Sequence, residues 1–120
     1  MVVGIEARGF ILGAAVAYEL GLGIVPVRKA GKLPGETLKE SYALEYGTAE
    51  IEVHTDAFEA GQRVLVIDDV LATGGTAEAT ALLVERAGAV VAAIEVVLEL
   101  AFLEGRKRLA DRPVSAILTL

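Results

Sequence analysis

The residues best suited to chemistry lie in one continuous stretch, residues 64–76 (Val-Leu-Val-Ile-Asp-Asp-Val-Leu-Ala-Thr-Gly-Gly-Thr). The pattern predicts a strand buried in a parallel sheet, an acidic strand end, a glycine loop and the start of a helix. Glycines let backbone N–H groups approach an anion, and the threonine hydroxyls and the helix N-terminus add to the attraction. The stretch therefore predicts a phosphate site that needs no lysine.

The two adjacent carboxylates, Asp68 and Asp69, predict what the phosphate is attached to. Ionised carboxylates only accept hydrogen bonds, so they suit the vicinal hydroxyls of a sugar. The order of residues matches neither Gly-x-x-x-x-Gly-Lys nor Gly-x-Gly-x-x-Gly. The alternative is a plain buried strand, a glycine turn and a helix capped by Thr73. Two acids directly after an apolar strand bring no folding benefit, since burying or crowding carboxylates costs free energy.

A second turn resembles the first in its position. Glu6-Ala7-Arg8-Gly9 follows a short apolar strand and precedes an apolar helical stretch. Turns after parallel strands lie at the same edge of the sheet, and the Arg8 guanidinium suits phosphate oxygens. We therefore expect this turn to bind a second anionic group of the same ligand. The alternative is a surface pair of Glu6 with Arg8.

Two basic segments and one hairpin tip are further candidates. Arg28, Lys29 and Lys32 lie on a glycine- and proline-rich loop, where they could attract a polyanion or simply be solvated. Residues 105–108 (Gly-Arg-Lys-Arg) are interpreted as a solvated face. Glu45 and Tyr46 lie at a predicted hairpin tip; a carboxylate on a mobile lid could approach a reacting carbon, although ordinary hairpin chemistry would also explain both.

The elements that must position these residues alternate along the chain. Strands are predicted at residues 2–5, 23–27, 64–67, 89–98 and 113–120, and helices at 10–20, 76–86 and 102–110. A hairpin is predicted from 41–46 and 49–54 around the two-residue turn Gly47-Thr48. Pro26 predicts a sheet edge or a strand end. Strands alternating with helices predict an α/β fold with a parallel sheet and right-handed crossovers.

Composition narrows the classes of function. The 120 residues predict one domain, and 17 acidic against 11 basic residues give a formal charge of −6, which argues against sequence-independent nucleic-acid binding. The absence of cysteine excludes thiol catalysis and fits a cytoplasmic protein. With His54 as the single histidine, a transition-metal site is not expected, whereas Mg²⁺ is held mostly by substrate phosphates and water.

Residues 9–27 carry Glu19 as their single charge, but Gly21, Gly23 and Pro26 interrupt them. We therefore expect a buried helix followed by a buried strand rather than a membrane span, and no membrane partner. The mean hydropathy of +0.57 is high for so small a domain. It predicts either an apolar face covered by a partner chain or a missing part of the domain.

Four motifs together resemble the adenine phosphoribosyltransferases of the type I phosphoribosyltransferase family: residues 3–10, 25–35, 41–47 and 64–76. The similarity extends from Val2 to about Leu109. It implies a Rossmann-like parallel-sheet core with an antiparallel hairpin lid, in a single domain over residues 1–120 whose flexible loop and lid span 29–54. It also implies transfer of the phosphoribosyl group of 5-phosphoribosyl-1-diphosphate (PRPP) to adenine, giving AMP and diphosphate in purine salvage.

The resemblance also implies roles for individual residues. Glu45 and Arg8 would be catalytic, and the Glu6–Ala7 peptide bond would be cis. Asp68 and Asp69 would hold the ribose hydroxyls or waters on Mg²⁺, with no direct metal ligand from the protein. The other PRPP-binding residues would be Ala7, Arg8 and Gly9 at the diphosphate, Arg28, Lys29 and Lys32 beside it, Tyr46 in the lid, and Ala72, Thr73, Gly74, Gly75 and Thr76 at the 5′-phosphate.

Three further expectations follow from the same resemblance. The protein would be a cytoplasmic homodimer that uses Mg²⁺ and binds no nucleic acid. Family members carry several dozen residues before the equivalent of Val2, which form a hood over adenine; this region is expected to be absent. The alternatives to the enzyme are therefore a non-catalytic PRPP-binding regulator and an inactive truncated fragment.

Overall fold

The computed structural model describes residues 1–44 and 46–120, and within these ranges it contains seven strands and two α-helices. In chain order they are β1 (Val2–Ile5), α1 (Arg8–Leu20), β2 (Ile24–Lys29), β3 (Thr37–Ala43), β4 (Thr48–His54), β5 (Arg63–Leu71), α2 (Gly75–Arg86), β6 (Val90–Glu99) and β7 (Val114–Thr119). Short 3-10 helices at Ala101–Leu103 and Gly105–Leu109 replace the helix predicted over 102–110, which is therefore wrong in type.

One sheet contains all of these strands, in the order β3-β4-β2-β1-β5-β6-β7. The five strands from β2 to β7 in that order are parallel, and β3 and β4 pair antiparallel at one end. The predicted α/β class and the antiparallel hairpin are confirmed. From β1 the chain goes to β2 on one side, whereas β5 lies on the other. Ligands in such sheets bind where the strand order reverses, at the carboxyl ends of the strands.

The two helices cover opposite faces of the sheet, and the larger core lies under α2. Alternate side chains of β5 point to the two sides: Val64 and Val66 join the core with Leu83, while Ile67 packs with Ala17 of α1. This alternation is what a strand buried on both faces requires. The apolar run before the carboxylates therefore places β5 at the centre of the molecule.

Helix α1 is less buried than predicted. Its buried residues are Gly9, Gly13 and Ala17, whereas Ile11 is 73% and Tyr18 89% exposed. Beside the helix, an apolar cleft of about 430 Å³ opens between α1 and strands β5 to β7. The high mean hydropathy thus corresponds to an apolar face open to solvent on this side. In the part of the chain described, no helix has the length and apolarity needed to span a bilayer.

Pro26 lies inside β2, which is an interior strand, so the prediction of a sheet edge or a strand end is wrong. Val2 N–H donates to Gly23 O and Glu6 N–H to Val27 O, which shows that the odd-numbered residues of β2 face β1. The Pro26 nitrogen therefore faces the other way. There β4 pairs only with residues 28 and 29, so no ladder hydrogen bond is lost.

The hairpin differs from the prediction in its bounds. Strand β2 extends to Lys29 and β3 begins at Thr37, so the predicted glycine- and proline-rich loop is limited to residues 30–36, and Arg28 and Lys29 belong to β2. The register pairs Ala43 with Thr48, and Thr48 already belongs to β4, so the predicted turn Gly47-Thr48 is wrong. The hairpin is joined to the main sheet through pairing of Arg28 and Lys29 with β4.

Candidate functional site

The carboxylates lie inside β5 rather than at its end. Asp68 pairs with Val96 and Val70 with Leu98, so the strand continues through Leu71. The Asp69 N–H donates to Asp68 Oδ1 (2.8 Å), and the Val70 N–H donates to Asp69 Oδ1 (2.9 Å). Pairing with β6 extends the strand beyond its apolar run, which the strand's own residues did not indicate. It also places the carboxylates just before the glycine loop.

Residues 72–74 form the predicted glycine loop between β5 and α2. Gly74 occupies the N-cap position with φ 91° and caps no N–H with a side chain, so the predicted alternative of a Thr73 cap is wrong. The first-turn N–H groups of a helix have no partner within the helix, and they attract anions. A cleft of about 80 Å³ is lined by Asp68 and residues 70–77. This loop, the cleft and the helix start together can hold a phosphate.

The turn after β1 lies directly against this region. Helix α1 begins at Arg8, and the Arg8 Nε donates a hydrogen bond to Asp69 Oδ2. An added Cβ at Gly9 would lie 2.8 Å from the Ile67 carbonyl oxygen and 3.3 Å from Asp68 Oδ1, so only glycine allows so close an approach. The Glu6–Ala7 peptide bond is cis. The structure thus brings together the two turns that the sequence predicted at one edge.

The Glu6 carboxylate contacts residues of the basic loop (residues 28–36) instead of pairing with Arg8. Its carboxylate accepts a hydrogen bond from Lys32 Nζ and another from the Lys29 backbone N–H at 3.0 Å, and Arg28 Nε lies 3.5 Å away. These bonds, with that from Lys32 the largest influence, lower the pKa of Glu6. The alternative of a Glu6–Arg8 pair is therefore wrong. Lys29 contributes its backbone N–H to this cluster and lines a separate cleft with Ser41 and Thr48.

The two neighbouring aspartates differ in their electrostatics. Burial raises the pKa of Asp68 to about 7, and the adjacent Asp69 carboxylate adds to the rise. Burial also acts against ionisation of Asp69, but the hydrogen bond from Arg8 lowers its pKa below the usual range. The Arg8 guanidinium is raised in pKa in turn by Asp69. One carboxylate is thus firmly charged, and its neighbour can change protonation near neutral pH.

The hairpin faces the glycine loop across an open cleft. The cleft has a volume of about 470 Å³, with Tyr42 and Leu44 on one side and Thr73 and Thr76 on the other. Tyr46 is 88% exposed near the hairpin tip. Glu45 lies outside the described residues, so its predicted catalytic role stays a prediction. The hairpin is nevertheless placed where a lid over the loop would have to be.

Sequence reasoning missed Glu52, which organises the basic loop. Glu52 is only 2% exposed, and its carboxylate accepts hydrogen bonds from the Gly31 N–H (3.1 Å), the Leu33 N–H (2.9 Å) and the Thr37 hydroxyl (3.0 Å). Alternation along β4 places this carboxylate where the loop covers it. Its partners are mostly backbone groups far away in sequence, so no residue pattern could have indicated the contact.

The basic residues 106–108 are exposed, as the predicted solvated face requires, but Gly105 is buried and two of the arginines make specific contacts. Arg106 makes a two-bond contact with Glu99, which is buried at the end of β6. Arg108 lines the cleft beside Thr73, and its Nη1 lies 3.7 Å from Glu78 Oε1. Lys107 pairs with Glu104 on the surface.

No three His, Cys, Asp or Glu side chains are grouped to hold a metal ion in residues 1–44 and 46–120. His54 instead contacts the Pro34 carbonyl oxygen through Nε2 at 2.9 Å. The adjacent carboxylates Asp68 and Asp69 can contact the water shell of an ion that a ligand brings. The residues present thus fit Mg²⁺ held by substrate phosphates rather than by a protein cage.

Comparison of the amino-acid sequence with known proteins identifies the family of this chain. The family model described as "Phosphoribosyl transferase domain" matches residues 1–114. The adenine phosphoribosyltransferase of Salinispora tropica is 70% identical over 118 residues, which cover 98% of this chain and 63% of that protein. The chain therefore spans less than two thirds of the length of this relative.

Solved structures give the same result. The adenine phosphoribosyltransferase of Thermoanaerobacter pseudethanolicus superposes with a TM-score of 0.97 at 52% identity, covering 99% of this chain and 69% of that one. The Saccharomyces cerevisiae enzyme, solved with an imino-altritol 1,6-bisphosphate and adenine, gives 0.94 at 47% identity, with 98% and 66% covered. The relatives named here are adenine phosphoribosyltransferases, and the chain belongs to the phosphoribosyltransferase family.

Proposed function

We propose that this chain transfers the phosphoribosyl group of PRPP to adenine, giving AMP and diphosphate. The observation that carries the proposal is the Arg8–Asp69 contact, which brings two anion-binding turns together with carboxylates between them. Adenine as the acceptor is supported by the names of the relatives and by the adenine bound in the yeast structure. Those names do not favour the alternative of a non-catalytic PRPP-binding regulator.

The glycine loop is assigned to the 5′-phosphate. Backbone N–H groups and hydroxyls of residues 72–76 would donate to its oxygens, and the N-terminus of α2 would add a favourable dipole. Asp68 and Asp69 would then accept hydrogen bonds from the ribose hydroxyls or from water around Mg²⁺. The positions of these carboxylates, immediately before the loop and beside its cleft, support this assignment.

The turn at residues 7–9 is assigned to the diphosphate. Arg8, with a side chain 76% exposed, would leave Asp69 to bind phosphate oxygens. Arg28 and Lys32 already form ion pairs with Glu6 at the adjoining strand end. Both side chains would neutralise the diphosphate, together with Lys29, which follows Arg28 in the chain. Since Glu6 and diphosphate are both anionic, the ligand would compete with Glu6 for these cations.

In the reaction, adenine N9 forms a bond to the anomeric carbon as the bond from that carbon to the diphosphate oxygen breaks. The electron pair leaves with diphosphate, and the N9 proton passes to water or to Glu45, for which this is one of two proposed roles. Arg8 and the basic loop stabilise the negative charge on the leaving group. Mg²⁺, when bound with PRPP, supplies further neutralisation of that group. Asp68 and Asp69 hold the ribose while positive charge builds on its ring.

The remaining assignments belong to the same proposal. Residues 29–54 act as the lid, Tyr46 moves with it, and Glu45 either stabilises the cationic ring or assists a purine proton. Residues 1–120 form a single core domain. The protein works in the cytoplasm as a homodimer.

A direct assay tests the proposed function. The chain is incubated with Mg²⁺, PRPP and each purine base in turn, and diphosphate release is measured. Adenine-dependent release is expected, and it should be lost in the double variant Asp68→Ala, Asp69→Ala. A matched control is Glu19→Ala, an exposed acid on α1 outside the assigned site and lid. PRPP binding without release would indicate a regulator, and PRPP affinity unchanged in the double variant would contradict the assigned site.

A further inference from the structure

The glycine loop rests on a second glycine from a distant part of the chain. An added Cβ at Gly105, which is buried, would lie 2.5 Å from the Ala72 carbonyl oxygen and 3.1 Å from the Leu71 side chain. An added Cβ at Gly74 would in turn lie 2.5 Å from the Gly105 carbonyl oxygen. The two backbones are therefore in direct contact, and the position of Gly105 determines how close the loop can lie to the end of β6.

Arg106, the next residue, fixes where Gly105 lies. Its Nε and Nη2 donate to the two carboxylate oxygens of Glu99 at 2.8 and 2.9 Å, and its Nη1 donates to the Val114 carbonyl oxygen at 2.9 Å. Glu99 ends β6 and is 6% exposed, and Val114 begins β7. One guanidinium thus ties the 3-10 helix Gly105–Leu109 to two strands of the sheet.

The strands at this point are themselves tied to the loop. The Leu100 N–H donates to the Leu71 carbonyl oxygen at 3.0 Å, which joins the end of β6 to the last residue before the loop. At the other end of the short helix, Leu109 is fully buried in the main core. The helix is therefore anchored on both sides, with Gly105 facing the loop.

Arg106 has no direct part in the cleft itself. The phosphate cleft is lined by Asp68 and residues 70–77, and Arg106 is not among them. A guanidinium at this position uses a rigid fork with three donors in fixed directions, whereas lysine keeps the charge but cannot make the two parallel bonds. We therefore expect the directions of the three Arg106 hydrogen bonds, rather than its positive charge, to determine the position of the loop.

We propose that Arg106, fixed by Glu99 and acting through Gly105, is a positioning residue that holds the glycine loop in its phosphate-binding conformation. The inference rests on the proposed function in one respect, namely that the loop binds the 5′-phosphate of PRPP. A small shift of the loop moves several N–H donors at once, so phosphate affinity should depend strongly on this contact.

Arg106→Lys tests the proposal, with Arg112→Lys as its matched control. Arg112 makes the same two-bond contact with Glu85, at 3.0 and 2.7 Å, near the C-terminal end of α2. Its Nη1 also donates to the Leu109 carbonyl oxygen at 3.2 Å, so Arg112 contacts the same short helix, but at the end away from Gly105 and the loop. Two quantities are measured on the full chain: affinity for ribose 5-phosphate, and hydrogen exchange of the amides of residues 73–76 without ligand.

Arg106→Lys should weaken ribose 5-phosphate binding about tenfold and speed exchange in the loop, while Arg112→Lys changes neither. Equal effects of the two variants, or no effect of Arg106→Lys on loop exchange, would overturn the proposal. If the unsubstituted chain does not bind ribose 5-phosphate, the proposed function fails. In that case, hydrogen exchange of residues 73–76 in Arg106→Lys still shows whether Arg106 positions the loop.

Gly105→Ala is a second, independent variant because it keeps Arg106 and Glu99 intact. Its new methyl group would press on the Ala72 carbonyl, so the same faster loop exchange and weaker ribose 5-phosphate binding are expected. Gly23→Ala is the control, since the nearest atom there is the flexible Met1 sulfur, 3.2 Å from the added Cβ. Unchanged exchange in Gly105→Ala would contradict the contact-based mechanism.

Discussion

At the scale of single residues, Asp68 and Asp69 are adjacent and chemically alike, yet their surroundings shift their pKa values in opposite directions. Arg8 keeps Asp69 ionised, while burial without a comparable partner raises the pKa of Asp68 to about 7. A free site can therefore carry one charge fewer than its sequence indicates. Binding of a sugar or of hydrated Mg²⁺ at these carboxylates would favour ionisation of Asp68 and release a proton.

The raised pKa of Asp68 has a consequence for stability. Between its unfolded pKa, near 3.9, and its folded pKa of about 7, the folded chain binds the extra proton, so stability falls as pH rises through this range. Asp68→Asn keeps Oδ1 as an acceptor for the Asp69 N–H but removes the ionisation. We expect this variant to be more stable than the parent at pH 8, by up to about 4 kcal/mol, and to gain roughly a third of that at pH 5, because pH 5 lies only about one unit above the unfolded pKa.

Thermal unfolding at a series of pH values measures this difference. Asp69→Asn is the control, because the pKa of Asp69 is lowered and its ionised form contributes stability that is present above its unfolded pKa. That variant should gain nothing at pH 8. An Asp68→Asn advantage that is the same at pH 5 and pH 8 would exclude titration of Asp68 as its cause.

The residue types of the site were predictable, but most of their partners were not. The order of carboxylates, glycines and threonines in residues 64–76 predicts a phosphate site because each type has one suitable role there. The contacts of Glu6 with Lys32 and of Glu99 with Arg106 depend on which side chains the sheet brings together. Short-range sequence pattern does not contain that information.

At the scale of elements, a buried carboxylate shapes the basic loop. Glu52 accepts three hydrogen bonds from residues 31–37, and these fix the course of the segment that carries Lys32. Glu52→Gln keeps the size of the side chain but removes the charge and replaces one acceptor oxygen with a donor nitrogen. We expect a loss of about 1–3 kcal/mol in unfolding free energy and faster hydrogen exchange in residues 30–36.

Glu50→Gln provides the matched comparison on the same strand, since Glu50 is exposed and only its backbone carbonyl contacts the loop, at Ala30. Denaturant unfolding and exchange should be nearly unchanged in this variant. If Glu52→Gln leaves exchange in the loop at the parent level, the carboxylate does not hold the loop in solution.

The element boundaries that sequence missed share one cause, which is pairing with neighbours. Strand β5 runs past its apolar residues because β6 pairs with Asp68 and Val70, and β3 begins early because β4 extends opposite it. Pro26 is tolerated inside the sheet because β4 pairs with only part of β2. Local composition predicts where an element is, and tertiary pairing decides where it ends.

At the scale of the whole molecule, the order of strands decides what kind of ligand fits. The chain leaves β1 toward β2 and places β5 on the opposite side, so the turns after β1 and β5 meet at one edge of the sheet. A ligand with an anionic group at each end can contact both turns at once. The alternation of strands and helices predicted this arrangement, whereas the exposed face of α1 was not predicted by its apolar sequence.

This arrangement predicts a difference between one two-ended ligand and its separate parts. PRPP joins the phosphate and the diphosphate covalently, so binding of one end raises the effective concentration of the other. At about 100 times its dissociation constant, PRPP should stabilise the chain by about 2.7 kcal/mol, or roughly 10 °C in melting temperature. An equimolar mixture of ribose 5-phosphate and diphosphate at the same concentration, with the same Mg²⁺, should give a clearly smaller shift.

Thermal shift measurements with Mg²⁺ alone as the baseline test this prediction, and Arg8→Ala makes the test specific. Arg8 is assigned to the diphosphate but also pairs with Asp69 beside the ribose, so Arg8→Ala should reduce the shift with PRPP by much more than the shift with ribose 5-phosphate. A mixture that stabilises the parent chain as much as PRPP would mean that the two turns do not act on one ligand. The shared edge of β1 and β5 would then be a feature of the fold without the function assigned to it.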